Sequence, residues 1–437
     1  MANLYSTSLT TQYLDPRTDI SNTTTEFRLD RDTAYYPNMM ISGLSATMGG
    51  GNNRHYSALA GAYGLIRHCR LMDGRIELDS VRYFNRWTAF QNANKPNAYN
   101  IDVGGKLSKS INGFSIQDTK VVESAQNQGL YSSLCKTTAT HTEKDDAIID
   151  LRVVLPILNN ISYLDTSVFK NLKIVIEWEQ DVKQVLSVDN DSYSTRPPVL
   201  IVDELKDPAV IKSLKSQLNT IVWNSIEHDM IQVPDQTGST PAAGVSTQEQ
   251  QVNATINGYD NKFVERVVLI KSLSDKTKNF VANAVQGCGD GSSYAQHKEK
   301  IQMRINGKNL FPSDGLVSAS QKAMLLHQTW GTMNVPPFAN QENIGLDAGV
   351  SVNRVGTLDR STTNGVVNSV NHKVGQYSFV GFSINQRINQ LQIDFRRGII
   401  DDSFAIERNN LGLDLHLFAE TRRSLSIGAS DYNVKYL

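Results

Sequence analysis

The sequence predicts an all-β protein in which two similar β-sandwiches follow one another along the chain. Three observations support this prediction: segments with period-two alternation of apolar residues, few and short helical patterns, and a strand–turn–helix unit that recurs in the second half. The chain has 437 residues, and a single sandwich often contains about 200–250 residues. Two sandwiches therefore account for the whole length.

The strands are predicted from alternation of apolar and polar residues. It is clearest in four segments: NLKIVIEWEQ (171–180), KIQMRIN (300–306), QLQIDFRR (390–397) and LGLDLHLFAE (411–420). This pattern is typical of antiparallel sheets that have one face in the core and the other in water. We therefore expect the polar residues between the leucines of the last segment, among them His416, to face solvent.

The recurring unit begins with a strand and a tight turn. Asp73-Gly74 and Asn306-Gly307 each follow an apolar run, and these dipeptides are favoured in two-residue hairpin turns whose central residues both need positive φ. The spacing then predicts a helix from near Asp79 in the first copy and from near Ser318 in the second. A unit that recurs at about half the chain length indicates a duplicated domain.

Each predicted helix has a tryptophan near its end. Val81, Phe84 and Trp87 are three residues apart and would share one face of the first helix. In the second helix, Ala323, Leu326 and Trp330 would do the same. The candidate structural residues are the two turn glycines and the two helix tryptophans: Gly74, Trp87, Gly307 and Trp330.

The chain divides into four predicted parts. Residues 1–24 form an extended arm, 25–205 the first sandwich, 206–218 a linker helix and 219–437 the second sandwich. The linker helix is predicted from Asp207-Pro208, because a capping Asp followed by Pro at the first helical position starts a helix. Long loops are expected at 48–58, 91–145, 235–260, 286–297 and 338–375.

Composition excludes several classes of protein. The 43 basic and 44 acidic residues give a net charge of -1, so we expect no specific nucleic-acid binding. The 3 cysteines are widely spaced and form no CxxC pair, which argues against a disulfide scaffold or a structural zinc site. The N-terminal residues lack a signal-peptide core, so a soluble protein of a reducing compartment is expected.

We predict no catalytic, cofactor-binding or metal-binding residues. Glu177 and Glu179 would point the same way from one strand, ~7 Å apart, which is within the range of a glycosidase carboxylate pair. The alternative, which we prefer, is that both are solvated surface residues. None of the 8 histidines stands in a metal-binding motif, so they are expected as single side chains. The arginine pairs 396–397 and 422–423 could bind phosphates, but nearby acidic residues favour ion pairs.

Several segments together resemble a known family. They are CRLMDGRIELDSVRYFNRW (69–87), DLRVVLPILNNI (150–161), FKNLKIVIEW (169–178), IQMRINGKNLFPSDG (301–315), LHLFAETRRSLSI (415–427) and YNVKY (432–436). In this order they resemble the double jelly-roll major capsid proteins of double-stranded DNA viruses, the adenovirus and tectivirus lineage. They are most similar to the proteins of Polinton-like viruses and virophages, over about residues 25–437.

The resemblance implies two tandem eight-stranded jelly rolls and a structural role without a cofactor. Three chains would form a pseudo-hexagonal homotrimer, the capsomer of an icosahedral shell, which is assembled inside the host cell and found in the virion. The implied partners are other copies of the chain, neighbouring capsomers, penton proteins and minor capsid proteins. Arms at the base of such capsomers join neighbours or approach an internal membrane.

Two alternatives remain open. A carbohydrate-binding or carbohydrate-active tandem sandwich would use Tyr and Trp side chains for stacking on sugars, and Glu177 would be its test residue. A minor capsid or spike component would share the fold and differ in its copy number per virion.

Overall fold

The computed structural model describes a large part of the chain. The described residues are 9–44, 46–48, 54–55, 61–93, 134–137, 147–180, 193–195, 197–215, 220–234, 248–274, 300–312, 315–316, 319–330, 362–363, 366–367, 379–399, 413–428 and 431–437. Of the predicted loops, 286–297 and most of 48–58, 91–145 and 338–375 lie outside these residues.

Strands dominate the described residues, and we divide them into two modules. The strands of the first module are β1 (Leu9–Leu14), β2 (Thr18–Ile20), β3 (Thr24–Arg28), β4 (Ala34–Tyr35), β5 (Met40–Leu44), β6 (Ala46–Met48), β7 (Arg54–His55), β8 (Ile66–Asp73), β9 (Ile76–Arg82), β10 (Leu134–Thr137), β11 (Ala147–Asp150), β12 (Leu164–Asp165), β13 (Leu172–Trp178), β14 (Tyr193–Thr195) and β15 (Val199–Leu205). Those of the second module are β16 (Thr220–Val233), β17 (Gln248–Ile256), β18 (Lys262–Leu273), β19 (Lys300–Ile305), β20 (Lys308–Asn309), β21 (Thr362–Thr363), β22 (Val366–Val367), β23 (Phe379–Ile388), β24 (Leu391–Ile399), β25 (Leu413–Ile427) and β26 (Tyr432–Tyr436).

Strand pairing follows the same path in both modules. In the first, one sheet runs β1-β15-β5-β11 and the other β3-β13-β8-β9. In the second, the corresponding orders are β16-β25-β18-β23 and β17-β24-β19-β20. All of these neighbours are antiparallel. Eight strands on this path form a jelly roll, so the prediction of two tandem eight-stranded jelly rolls is confirmed.

Further strands extend this framework. β4 and β12 continue the first sheet of the first module, and β2 lies beside β3. The predicted arm at 1–24 therefore includes two paired strands, β1 and β2. The first of them, β1, is also the first strand of the jelly roll itself. The short strands β14, β6, β10 and β7 form a separate sheet. β26 extends the second module by pairing with β25.

Within the described ranges, four α-helices connect these strands: α1 (Phe84–Ala93), α2 (Leu151–Val154), α3 (Pro208–Lys215) and α4 (Ala319–Trp330). α3 lies between the modules, and its first turn is capped by Asp207, whose Oδ1 accepts from Ala209 N at 2.8 Å. The exact division at 206 and 218 stays a prediction. α4 begins where the sequence predicts, next to Ser318. It has the same place in its module as α1, between the fifth and sixth of the eight jelly-roll strands along the chain.

The predicted start of the first helix is wrong. Asp79 and Val81 belong to β9, and the helix begins at Phe84. The reason is Tyr83, which adopts a positive φ of 50° and so ends the strand. Its carbonyl oxygen then accepts from Arg86 N at 2.9 Å, which forms the first turn of α1. Val81 is therefore a buried residue of a strand, and it shares no helix face with Trp87.

The two glycine turns differ from each other. Asn306 and Gly307 have φ values of 51° and 79°, which is the type I′ pattern that the sequence predicts. In the first module Asp73 ends β8, and the loop consists of Gly74 and Arg75. Gly74 alone has a positive φ, 60°, so it occupies the first central position of a type II′ turn.

The loop predicted at 235–260 is partly wrong, because residues 248–256 form β17. The segment QEQQVNATI has few large apolar residues and gives only a weak strand signal. β17 lies at the edge of its sheet, beside β24 alone. An edge strand with polar side chains facing water needs only a few buried apolar side chains.

Among the described residues, no helix combines the length and the apolar composition needed to cross a membrane.

The glycine at 315 is expected to tolerate substitution less well than the glycine at 307. Both have positive φ, 74° and 79°, so Ala at either position costs about 1–2 kcal/mol of backbone strain. A Cβ at Gly307 meets nothing within 4 Å, whereas one at Gly315 would lie 2.9 Å from Ile301 O. Gly315→Ala should therefore lower the free energy of unfolding by about 2–4 kcal/mol in denaturant titrations. Equal losses for the two variants would contradict this account.

Candidate functional site at the joint between the modules

The central sheet of the second module is buried on both faces. In β18, Val267 and Leu269 belong to the core of the second module, whereas Val268 and Ile270 pack with the core of the first. In β25, Leu417 and Phe418 divide in the same way. The first module thus covers the face that would otherwise meet water. We call this contact the joint.

Burial of this face corrects one prediction. His416 was expected to face solvent, but it is only 1% exposed, under the first module. The alternation in β25 is present as predicted. Its second face is covered by residues more than 300 positions earlier in the chain, and local periodicity contains no information about such a contact.

Aromatic rings form the apolar half of the joint. The ring of Trp87 lies 5.4 Å from that of Trp330, at 70°, and 5.4 Å from that of Phe418. Phe90 meets Trp330 edge to face at 5.3 Å and 86°. Edge-to-face pairs at this separation stabilise beyond the area that they bury. The two tryptophans predicted as separate anchors therefore contact each other across the joint.

Arg266 holds the end of α4 against β18. Its guanidinium lies 4.1 Å above the Trp330 ring, and its Nη1 donates to Thr329 O at 2.9 Å. Its Nε and Nη2 donate to the two carboxylate oxygens of Glu420 at 2.6 and 2.9 Å. Gly381 lies beneath the indole, where a Cβ would come within 2.7 Å of Trp330. The indole therefore fits a space that only glycine leaves open.

A buried carboxylate forms the polar half of the joint. Asp79, in β9, is 0% exposed. Its Oδ1 accepts from Ser225 Oγ of the second module at 2.9 Å and from Ser80 N at 3.1 Å, and its Oδ2 accepts from Ile157 N at 2.9 Å. Burial raises the pKa of Asp79, and the nearby charge of Arg423 opposes this.

Arg423 is the second polar link between the modules. Its Nη1 donates to Leu78 O of the first module at 3.3 Å, and its Nη2 donates to Glu227 Oε1 at 2.6 Å. Burial favours the protonated form of Glu227, but the charges of Arg423 and Lys262 lower its pKa below the ordinary value. The hydroxyl of Tyr436, in β26, contacts Arg423 and donates to Glu227 at 2.9 Å.

The C-terminal strand adds a third link. Tyr432 donates from its hydroxyl to Asp73 Oδ2 at 2.9 Å, and its ring lies 4.8 Å from that of Phe169. Asp73 also accepts from Lys170 N and Asn171 N at 3.2 and 2.6 Å. β26 thus pairs with the second module while its first side chain binds a turn of the first.

Two histidines that were expected to be single lie together. His228 Nε2 and His416 Nδ1 are 3.0 Å apart, on neighbouring strands of the face that the first module covers. The ring of Tyr83 packs on both, with centroid distances of 4.6 and 5.0 Å. Their separation of 188 residues explains why spacing rules for metal-binding pairs could not find them.

The carboxylates considered for glycosidase chemistry do not form a pair. A register shift between Glu177 and Trp178 interrupts the alternation of β13. Glu177 pairs with Arg70, while Glu179 is buried and accepts from Asn85 Nδ2 at 2.9 Å. The preferred expectation, that both are solvated, is wrong for Glu179.

Three arginines of the two predicted pairs make ion pairs within the chain. Arg396 pairs with Asp394 at 2.8 Å, Arg422 with Glu265, and Arg423 with Glu227. Glu420 is the acidic residue near Arg423 in the sequence, but it is not the partner of Arg423, because it binds Arg266 instead. No group of three or more His, Cys, Asp or Glu side chains in the described part of the chain could hold a metal ion.

The remaining candidate residues, Gly74 and Gly307, lie in hairpin turns, each within its own module. Sequence reasoning missed the roles of Asp79, Ser225 and Arg423 at the joint. A weak signal for Asp79 existed, because it lies between apolar residues in IELDSV, where a charged residue breaks the expected pattern.

Removing one ring from the joint should reveal coupling between the modules. Trp87→Ala and Trp330→Ala are each expected to lower the free energy of unfolding by about 3–5 kcal/mol. Because the rings touch, the double variant should lose about 0.5–1.5 kcal/mol less than the sum of the two. Denaturant titration measures this. Phe395 lies in the core of the second module alone, so Trp87→Ala with Phe395→Leu should be additive. Additivity of both pairs would contradict the contact.

The hydroxyl of Ser225 should contribute more than that of Ser80. Ser225→Ala takes one donor from the buried Asp79 and should cost about 1.5–3 kcal/mol. Ser80 is the matched control, because its hydroxyl donates to Glu77 in its own strand and its N–H bond to Asp79 survives substitution. We expect Ser80→Ala to cost about 0.5–1 kcal/mol. The ranking is checked by thermal and denaturant unfolding, and a reversed order would refute the assigned role of Asp79.

No protein-family model matches this sequence, and no curated protein sequence matches it. Solved structures do match. The crystal structure of the mavirus major capsid protein superposes with a TM-score of 0.54 at 10% identity, covering 98% of this chain and 90% of that chain. A chain from the cryo-EM structure of the Sputnik virophage gives 0.55 at 10% identity, covering 98% and 88%. PBCV-1 VP54, fitted into a reconstruction of the virophage Sputnik, gives 0.52 at 11% identity, covering 98% and 97%. The chain therefore shares the double jelly-roll fold of these proteins along nearly its whole length.

Proposed function

We propose that this chain is a major capsid protein, located in the virion, whose homotrimers form the pseudo-hexagonal capsomers of an icosahedral DNA-virus shell. The observation that supports this most is the match to the mavirus major capsid protein, which extends over 98% of this chain and includes both jelly rolls. A chance likeness to a common sandwich would involve one module and leave the other unmatched.

The joint supports the same proposal on physical grounds. Three chains with two modules each can form a six-sided ring only if the angle between the modules is constant. The aromatic cluster and the buried Asp79 and Arg423 provide such a constant angle, because cores packed this densely resist deformation. A pair of modules on a flexible linker would lack this property.

Surface residues indicate where copies could meet. Tyr13, in the edge strand β1, is 70% exposed, and Ile20, Tyr36 and Ile76 of the first module are also exposed. Obligate interfaces bury on the order of 2,000–5,000 Å² and favour aromatic and aliphatic side chains. The proposed partners are therefore other copies of the chain, then neighbouring capsomers, penton and minor capsid proteins, with an internal membrane as a further contact at the base.

Light scattering on the purified protein tests the assembly. We expect a particle of three chains, each of 48.5 kDa, and six-cornered outlines in electron micrographs. Tyr13→Glu should weaken self-association, because it places a charge at a buried interface. Thr10→Glu on the other face of the same strand is the matched control. A stable monomer of the unmodified chain would overturn the proposal, and low copy number per virion would instead identify a minor capsid or spike component.

A further inference from the structure

The His228–His416 pair occupies the joint itself. The two rings lie on β16 and β25, with centroids 5.2 Å apart. Tyr83 of the first module covers them from one side, and the ring of Phe418 lies 4.8 Å from that of His228. Phe418 in turn contacts Trp87. The pair is therefore continuous with the aromatic cluster that holds the modules together.

The charged groups that face this pair are cationic. The positive charge of Arg86, in α1, lowers the pKa of both rings, and that of Arg82, at the end of β9, lowers the pKa of His228. His68, in β8, is a further base near His228. Within the described part of the chain, no carboxylate forms an ion pair with either ring. A positive charge on the pair would thus be added to a positive environment.

His68 has a different environment. Its Nδ1 lies 3.6 Å from Glu177 Oε2, and this carboxylate also binds Arg70. From β9, the charge of Arg82 lowers the pKa of His68 and the charge of Glu77 raises it. A proton on His68 would have a partially compensating partner, which His228 and His416 lack. Burial still lowers the pKa of His68 to about 4, so this ring in β8 adds acid sensitivity of the same sign, and a variant of the pair alone separates the two contributions.

The contact between the two rings requires one hydrogen between two nitrogens. At 3.0 Å, one nitrogen must donate and the other accept. An added proton on His228 makes its Nε2 the donor and His416 Nδ1 the acceptor, so the hydrogen of His416 is confined to Nε2, which has no hydrogen-bond partner. A second added proton would place two N–H groups against each other. Acid is therefore incompatible with the closed joint.

We propose that the His228–His416 pair makes the joint an acid-sensitive contact, which loosens when the two rings take up protons. This device belongs to the single chain and does not depend on assembly into a shell. Because the pair lies beside the Trp87–Trp330 contact, loosening there separates α1 from the face of β25 that the first module covers. This separation changes the angle between the modules.

The titration of the rings gives the pH range. Burial, reinforced by Arg86 and Arg82, lowers the pKa of His228 from 6.5 to about 3, and burial lowers that of His416 well below 6.5. A ring with a lowered pKa binds fewer protons folded than unfolded. Its contribution to stability is complete above about pH 6.5 and falls as the pH drops toward about 3. Each ring changes the unfolding equilibrium roughly tenfold per pH unit in that range.

Asp79 and Glu420, two carboxylates of the joint, act in the opposite direction. Burial raises the pKa of Asp79 and of Glu420, so these groups bind more protons in the folded chain than in the unfolded chain. Their contribution increases as the pH falls. Acid loosening of the joint therefore cannot be assigned to these two. Glu227 has a pKa below its ordinary 4.5, because the charges of Arg423 and Lys262 outweigh its burial, so its contribution falls only below about pH 4.5.

Hydrogen exchange of the full-length protein at about pH 7 and about pH 5 tests the proposal. After correction for intrinsic rates, peptides from α1 and β25 should lose protection by at least about tenfold at the lower pH. Peptides from β24, in the opposite sheet of the second module, should keep theirs. Retained protection in α1 and β25 at about pH 5 would overturn the proposal.

A double variant, His228→Phe with His416→Phe, keeps two flat rings and removes both titrating groups. It should retain the protection of α1 and β25 at the lower pH. Phe418→Leu is the control, since it weakens the packing of the joint by the same factor at both pH values. Equal acid sensitivity of the double variant and the unmodified chain would also overturn the proposal.

The unmodified chain provides a measurement that needs no variant. Deuterium exchange at C2 of each imidazole, followed by mass spectrometry, reports the ring pKa in the folded protein. We expect neither ring to titrate near 6.5 while α1 and β25 stay protected. Ordinary titration of either ring in the closed joint would contradict the mechanism.

Discussion

The structure depends on one constraint: at β18 and β25, both faces of the central sheet of the second module are buried, and neither is in water. Successive residues such as Val267 and Val268 belong to different cores. A shift of either strand by one residue would exchange the two sets of side chains, each of which matches its own surroundings. The register of the second module and the position of the first are therefore determined together.

This constraint explains why polar groups are tolerated at the joint. Apolar packing alone resists sliding of the modules only weakly, because many arrangements bury similar areas. The Asp79 carboxylate has acceptor positions that Ser225, Ser80 and Ile157 satisfy in one arrangement. Any other arrangement leaves a buried charge without its donors, at a cost of several kcal/mol. We infer that the aromatic cluster stabilises the joint and the polar links select its geometry.

The fold was predictable because its signals are local. Alternation, tight-turn dipeptides and helix caps each depend on a few neighbouring residues, and the duplicated order of these signals indicates two modules. The prediction was wrong where two periods fit the same residues. Val81, Phe84 and Trp87 match a helix by spacing, yet Val81 also lies in the alternation of β9, and only the positive φ of Tyr83 separates strand from helix.

The joint was not predictable, since each of its contacts pairs residues far apart in sequence. Asp79 and Ser225 are 146 residues apart, and Arg423 reaches Leu78 across 345. The sequence predicts a tryptophan near the end of each helix, and Trp330 does end α4, but Trp87 lies in the first turn of α1 because that helix begins later than predicted. Nothing in the local pattern shows that the two rings meet. The same long separation links stability to the proposed function. The proposed shell subunit needs a constant angle between its modules. The contacts that hold this angle join residues far apart along the chain, so the angle is complete only when β25 and β26 have joined the fold.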